Sequence, residues 1–150
     1  MSKGKVVGVA HTGITVSNME HSIAFFRDVL GGTATDPTLY TDPIFERITG
    51  VEQAHIKIAY VDLPGHRLEL LEYVKPDNRK VSELMPCDSG HLHLSLLVEN
   101  IDDLVREMAA AGFEQAGPIQ KVEADGGFKA IYTYGFDRLV IELMDFSKPA

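Results

Sequence analysis

The chain says one thing twice. In the first half, HTGITVSNMEHSIAFFRDVLGG opens on His11, and HRLELLEY later carries Glu69. In the second half, HLSLLVENIDDLVREMAAAGFE opens on His93, and DRLVIELMDF carries Glu142. Aligned on the histidines, Val16 falls on Val98, Asn18 on Asn100, Met19 on Ile101 and Glu20 on Asp102. The two histidines are 82 residues apart and the two glutamates 73, so the second copy is shorter by nine residues between its signals, as a loop deletion would leave it. A period this long, present in two copies, describes a duplicated small module rather than a solenoid.

Each copy reads as a strand, a helix and then further strands. Residues 6–16 are rich in β-branched types, and Ser17-Asn18-Met19-Glu20 has the form of a capping box. Met19, Ile23, Phe26 and Leu30 then recur at helical spacing up to Gly31-Gly32. The second copy runs likewise from Asn100 through Ile101, Leu104, Met108 and Ala111 to Gly112. Strands are expected around 45–48, 55–63 and 67–74, and again around 118–123, 128–135 and 138–146. The turn-forming stretches from Pro76 and from Pro86 to Gly90 separate the copies. This places module one at about 5–75, a linker at about 76–90 and module two at about 91–146, within one α+β domain of 150 residues.

Alternate residues of a strand share a face. His11 lies with Gly13 and Thr15, Glu69 with Arg67 and Leu71, His93 with Ser95 and Leu97, and Glu142 with Val140 and Met144. The opposite face of every segment is apolar enough to back onto a helix. Curved sheet with helices outside and a polar cluster inside is the arrangement this division describes. Parity turns Glu72 away from the face of Glu69. It does not separate His91 from His93, but only His93 keeps the five-residue step to valine seen from His11 to Val16. His21, His55 and His66 have no counterpart in the other copy and read as solvated or locally hydrogen-bonded.

Taken singly, a strand histidine is usually a hydrogen-bonded side chain and a strand glutamate a surface one. Two carboxylates on an inner face are costly unless a cation neutralises them. His11, Glu69, His93 and Glu142 supply two imidazoles and two carboxylates, a donor set suited to one divalent ion: Mn, Fe, Co, Ni or Zn.

Composition narrows the remaining classes. A net charge of -8 argues against nucleic-acid binding, which needs a basic surface. No apolar run reaches the length of a membrane span, and MSKGKVVGVA does not read as a signal peptide. One cysteine, Cys87, allows no internal disulfide and fits a reducing, cytoplasmic setting. No P-loop, G-x-S-x-G, H-E-x-x-H or paired-cysteine zinc motif is present.

The H-x-G-I-x-V strand, the S-I-A-F-F-R-D-V-L-G helix, L-E-L-L-E, H-L-S-L-L-V-E-N-I-D and V-I-E-L-M-D resemble the vicinal oxygen chelate superfamily over about residues 5–146. This superfamily includes glyoxalase I, methylmalonyl-CoA epimerase, extradiol dioxygenases, fosfomycin-resistance enzymes and bleomycin-binding proteins. The resemblance implies two tandem βαβββ modules forming a cupped, open eight-stranded mixed sheet, a homodimer, and His11, Glu69, His93 and Glu142 as the metal ligands. A full His/Glu/His/Glu set is similar to glyoxalase I and the epimerase. The chain departs from the epimerase pattern at Tyr-Gly-Phe-Asp-Arg (134–138), where a His-Pro-Lys type segment is usual. Glu52, 17 residues before Glu69, stands roughly where an epimerase acid/base lies.

The chemistry expected of such a site is a lyase or isomerase reaction: proton abstraction next to a carbonyl of a small molecule that presents two chelating oxygens. Glu142, if it loosens from the metal, and Glu52 are the candidate proton carriers. An Fe(II) ring-cleaving dioxygenase and a non-catalytic small-molecule binding or resistance protein are the alternatives. Phe45, Arg47, Tyr60, Tyr73, Tyr132 and Tyr134 are candidate pocket residues, although aromatics on strands more often pack in the core. Lys75, Arg79, Lys80, Lys121 and Lys129 are candidates for an anionic tail, although scattered lysines are usually solvated.

Overall fold

The computed structural model describes residues 3–147 and divides the chain into two compact units, Met1–Arg79 and Lys80–Ala150. In the first unit the order is β1 (Thr12–Thr15), α1 (Met19–Ala24) continuing as a π-helical turn (Phe25–Val29), β2 (Thr33–Ala34) and β3 (Thr38–Tyr40). Then come α2 (Ile44–Thr49), β4 (His55–Leu63) and β5 (His66–Lys75). Its sheet runs β1-β5-β4-β2, with β3 also on β4. β1 is parallel to β5 and the other pairings are antiparallel.

The second unit repeats the plan: β6 (Leu94–Leu97), α3 (Ile101–Ala110), β7 (Glu114–Gln115), β8 (Gln120–Val122), β9 (Phe128–Tyr134) and β10 (Val140–Asp145). Its sheet runs β6-β10-β9-β7, with β8 also on β9, and β6 is parallel to β10. The fold is thus α+β with tandem βαβββ modules. The fourth ribbon position of each sheet is shared by two short strands, β2 and β3 in one unit and β7 and β8 in the other. Four positions per unit hold five strands, in two open mixed sheets.

Three local expectations need correction. Residues 45–48 are not a strand but lie within α2. Asp42 Oδ1 accepts the Ile44 N–H at 2.8 Å, Pro43 occupies the N-cap, and Gly50 ends the helix at φ 71°, the left-handed conformation glycine takes without penalty. This α-helix, which has no α-helical counterpart among the described residues of module two, lies in the stretch where the first copy is longer.

The run 6–16 pairs only over Thr12–Thr15, and Val6 and Val7 are about nine-tenths exposed. β5, the partner, begins at His66, so the residues before His11 have no strand of this sheet beside them. Lastly, the cap of α1 is Asn18 rather than Ser17. Asn18 is extended (φ -142°) and its Oδ1 accepts the His21 N–H at 2.9 Å.

The helix-facing side of each sheet is the dry one. Val61, Leu68 and Leu70 of the first sheet are fully buried, as are Met19 and Phe26 of the helix; Ile101, Val105 and Met108 join Ile141 and Leu143 in the second. Each large buried side chain contributes about 1.5–3 kcal/mol. On the other side of the first sheet, Ala54, Ile56 and Ile58 form a smaller cluster with Phe45, Tyr60, Leu71 and Tyr73 packed on it. Phe45 therefore reaches the sheet from α2.

The parity reading of Glu72 holds: it points to the helix side, where Oε2 accepts the Met19 N–H at 2.7 Å. Asp145 does the same in module two, accepting the Ile101 N–H at 3.1 Å. Both acids stand three residues after the candidate ligand of their strand, and both satisfy an orphan amide at a helix N-terminus.

Burial pushes the Asp145 carboxyl up. Hydrogen bonds from the Ser147 hydroxyl and from the Ile101 and Ser147 amides, with the Lys129 charge, outweigh burial and hold it below the usual range. A depressed carboxylate stabilises the fold above its unfolded value, about 3.9, and that contribution is lost as pH falls through the folded value. Asp145→Asn is expected to destabilise the protein by about 1–3 kcal/mol at pH 7. The difference from wild type should shrink progressively below about pH 4, as urea midpoints measured between pH 3 and 7 will show.

Candidate metal centre

The sequence-selected residues meet in two pairs, one in each unit. His11 immediately precedes β1, and its Nε2 lies 3.2 Å from Oε2 of Glu69 on β5. His93 immediately precedes β6, and its Nε2 lies 3.4 Å from Oε2 of Glu142 on β10. Parallel pairing produces both meetings. Thr12 is in register with Leu68 and Leu94 with Ile141, so each histidine sits at the mouth of the edge strand beside the glutamate strand. All four side chains are partly exposed. Among the described residues no three His, Cys, Asp or Glu side chains gather into a metal-holding group. Glu52 joins neither pair; it is exposed, in the turn between α2 and β4.

The pairs fit a divalent ion. Adjacent N and O ligands about 2.1 Å from one ion stand about 3.0–3.4 Å apart in octahedral or tetrahedral geometry, and both observed separations fall in that range. The donors are imidazole nitrogen and carboxylate oxygen, with no thiolate. Glu69 has a residue without a side chain beside it on β1. Gly13 is in register with it, and a Cβ there would lie 3.9 Å from Oε2 and 3.4 Å from Leu71 Cδ1. The equivalent neighbour of Glu142 is Ser95.

A tyrosine stands beside each pair; the sequence offered both only among six candidate pocket residues and did not tie either to a glutamate. Tyr60 on β4 is directly opposite Glu69, and Tyr132 on β9 directly opposite Glu142. The two hydroxyls do different things. Tyr60 donates to Glu69 Oε1 at 2.9 Å, whereas the Tyr132 hydroxyl lies 3.4 Å from His93 Nε2. The hydrogen bond to Glu69, and then burial, hold the Tyr60 phenol above its ordinary range. For Tyr132 burial is the main cause of a rise in the same direction, followed by the Glu142 charge.

Tyr60 has a further support. The Arg67 guanidinium sits over its ring, 5.5 Å from the centroid, and is held by Asp62 through two bonds of 2.7 and 2.9 Å. In the second unit Val140 stands two residues before the glutamate, where the first has Arg67. His66, expected to be solvated or locally hydrogen-bonded, lies 2.9 Å from Thr12 Oγ1, a partner distant in sequence on the neighbouring strand.

Comparison with known proteins agrees with this architecture. The family model described as Glyoxalase/Bleomycin resistance protein/Dioxygenase superfamily matches residues 8–142. A 2-epi-5-epi-valiolone epimerase from Actinomyces sp. is 32% identical over 124 residues, covering 79% of this chain. The match spans 63% of that relative's length.

Among solved structures, a glyoxalase family protein from Bacillus cereus has a TM-score of 0.84 at 24% identity, covering 97% of each chain. The fosfomycin resistance protein FosX from Listeria monocytogenes, solved with Mn(II) and sulfate, has a TM-score of 0.59 at 16% identity and covers 95% of each chain. Both show likeness of fold. The chain belongs to the glyoxalase/bleomycin resistance protein/dioxygenase superfamily. No helix among the described residues is long and apolar enough to cross a membrane.

Proposed function

We propose that this chain is a metal-dependent isomerase or lyase that moves a proton next to a carbonyl of a small molecule bearing two neighbouring oxygens. The observation that carries the reading is the duplicated His–Glu pair with its ligand-like donor separations. His11, Glu69, His93 and Glu142 would together hold one divalent ion: Mn, Fe, Co, Ni or Zn. When bound, it would polarise the substrate carbonyl and stabilise the negative charge that proton removal leaves.

The side chains supply the rest. Glu142, lacking a tyrosine donor, is the carboxylate suited to take the proton and return it. Glu52 is the second candidate for that proton, and its place in an exposed turn calls for a separate test. The likeness to an epimerase favours isomerisation over elimination, since epimerisation next to a carbonyl needs one proton removed and one returned. We also propose a homodimer and a cytoplasmic setting.

The test is solvent exchange. Purified protein loaded with Mn(II), Fe(II), Co(II), Ni(II) or Zn(II) is incubated in D2O with a panel of α-hydroxy ketones, hemithioacetals and 2-methyl acyl thioesters. Metal-dependent deuterium incorporation is expected by NMR and should disappear with His11→Ala. Loaded protein that exchanges no proton across the panel, or that consumes O2 with catechols, overturns the reading. Glu52→Gln separates the two acids: exchange lost with metal affinity intact assigns proton transfer to Glu52.

A further inference from the structure

The two His–Glu pairs are duplicated in sequence but not in hydrogen bonding. We infer that Tyr60 is a positioning residue that fixes Glu69 as a metal ligand, a part that Tyr132 does not take toward Glu142. This rests on the metal-dependent reading above and deepens it, since it makes the two glutamates inequivalent before any substrate arrives.

The argument is geometric. Tyr60 takes Glu69 Oε1 at 2.9 Å, so only Oε2, the oxygen 3.2 Å from His11 Nε2, remains directed to a metal. A carboxylate held at one oxygen binds through the other and loses its freedom to rotate. Support for the ring adds to this: Arg67 lies over it, and Asp62 fixes Arg67. Hydrogen-bonded partners of ligands orient them and strengthen metal binding.

In the second unit the corresponding hydroxyl is 3.4 Å from His93 Nε2, the same nitrogen that lies 3.4 Å from Glu142 Oε2. A nitrogen that gives its lone pair to a metal cannot also serve Tyr132. The Tyr132 hydroxyl is therefore released when His93 ligates; in the structure it stands against His93, not against Glu142 as Tyr60 does against Glu69. Ser95 in place of Gly13, and Val140 in place of Arg67, mark the same divergence around the second glutamate.

Tyr60→Phe and Tyr132→Phe each delete one oxygen and keep the ring. Mn(II) affinity is measured by titration calorimetry on metal-free protein, and the visible spectrum is recorded with Co(II); metal-free thermal midpoints establish that each variant is folded. Tyr60→Phe is expected to weaken Mn(II) by about 10–100-fold and to alter the Co(II) spectrum, whereas Tyr132→Phe stays within about twofold of wild type with its spectrum unchanged. Should Tyr60→Phe match wild type, or should both variants weaken Mn(II) alike, the inference is overturned while the metal reading stands. Wild-type protein that binds no divalent ion overturns the metal reading, and this inference with it.

Discussion

Replacing Gly135 by alanine is expected to cost about 3 kcal/mol or more of stability, the upper end of what one added methyl group does in a packed core. A Cβ at Gly135 would stand 2.2–2.4 Å from three atoms of the Phe113 ring. The ring is fully buried, it has the Phe136 ring edge-on at a centroid distance of 5.2 Å, and it cannot swing aside into solvent. The constraint is one of space, since the backbone at Gly135 (φ -124°) is accessible to any residue. Urea unfolding followed by circular dichroism gives the loss. Phe113→Leu should cost less in the Gly135→Ala background than in wild type, because the smaller side chain removes the clash. Equal costs in both backgrounds would show that the methyl group is accommodated elsewhere.

Glu142→Gln is expected to lower the rate of substrate deuterium exchange by about 10²–10⁴-fold, the usual contribution of a positioned general acid or base. Glutamine keeps the shape and one oxygen donor but cannot carry the proton. Metal binding should therefore fall less than the exchange rate. Glu69→Gln should show the reverse balance, with metal binding suffering first, because Glu69 Oε1 is already engaged by Tyr60. Exchange rates measured at saturating Mn(II) separate the two. If Glu142→Gln retained wild-type exchange under those conditions, Glu142 would not be the proton carrier.

How much of this was readable in the residues depends on whether a feature repeats in line or only in space. His11, Glu69, His93 and Glu142 recur at matched positions of two copies, and strand parity was enough to choose Glu69 over Glu72. Tyr60 and Tyr132 are equally duplicated, yet they stand nine and ten residues before their glutamates. The β4–β5 hairpin turns tightly at Pro64-Gly65, whereas a longer turn through Phe136–Arg138 joins β9 to β10. Only the strand register puts both tyrosines opposite a carboxylate. Residues 45–48 were expected as a strand and lie in α2. The Asp42-Pro43 start and the Gly50 stop were the better evidence. Residues 6–11 have strand-forming composition, but a strand also needs a neighbour, and composition does not say where a partner begins.

The acids three residues beyond each glutamate give the modules a built-in check on strand register. Moving β5 or β10 along by one residue would turn Glu69 or Glu142 into the dry core. The same slip would pull Glu72 from the Met19 amide or Asp145 from the Ile101 amide. Two separate penalties thus fall on one error, one on each face of the strand. Each copy has to find its own alignment, and the spacing from glutamate to capping acid lets every copy proofread itself.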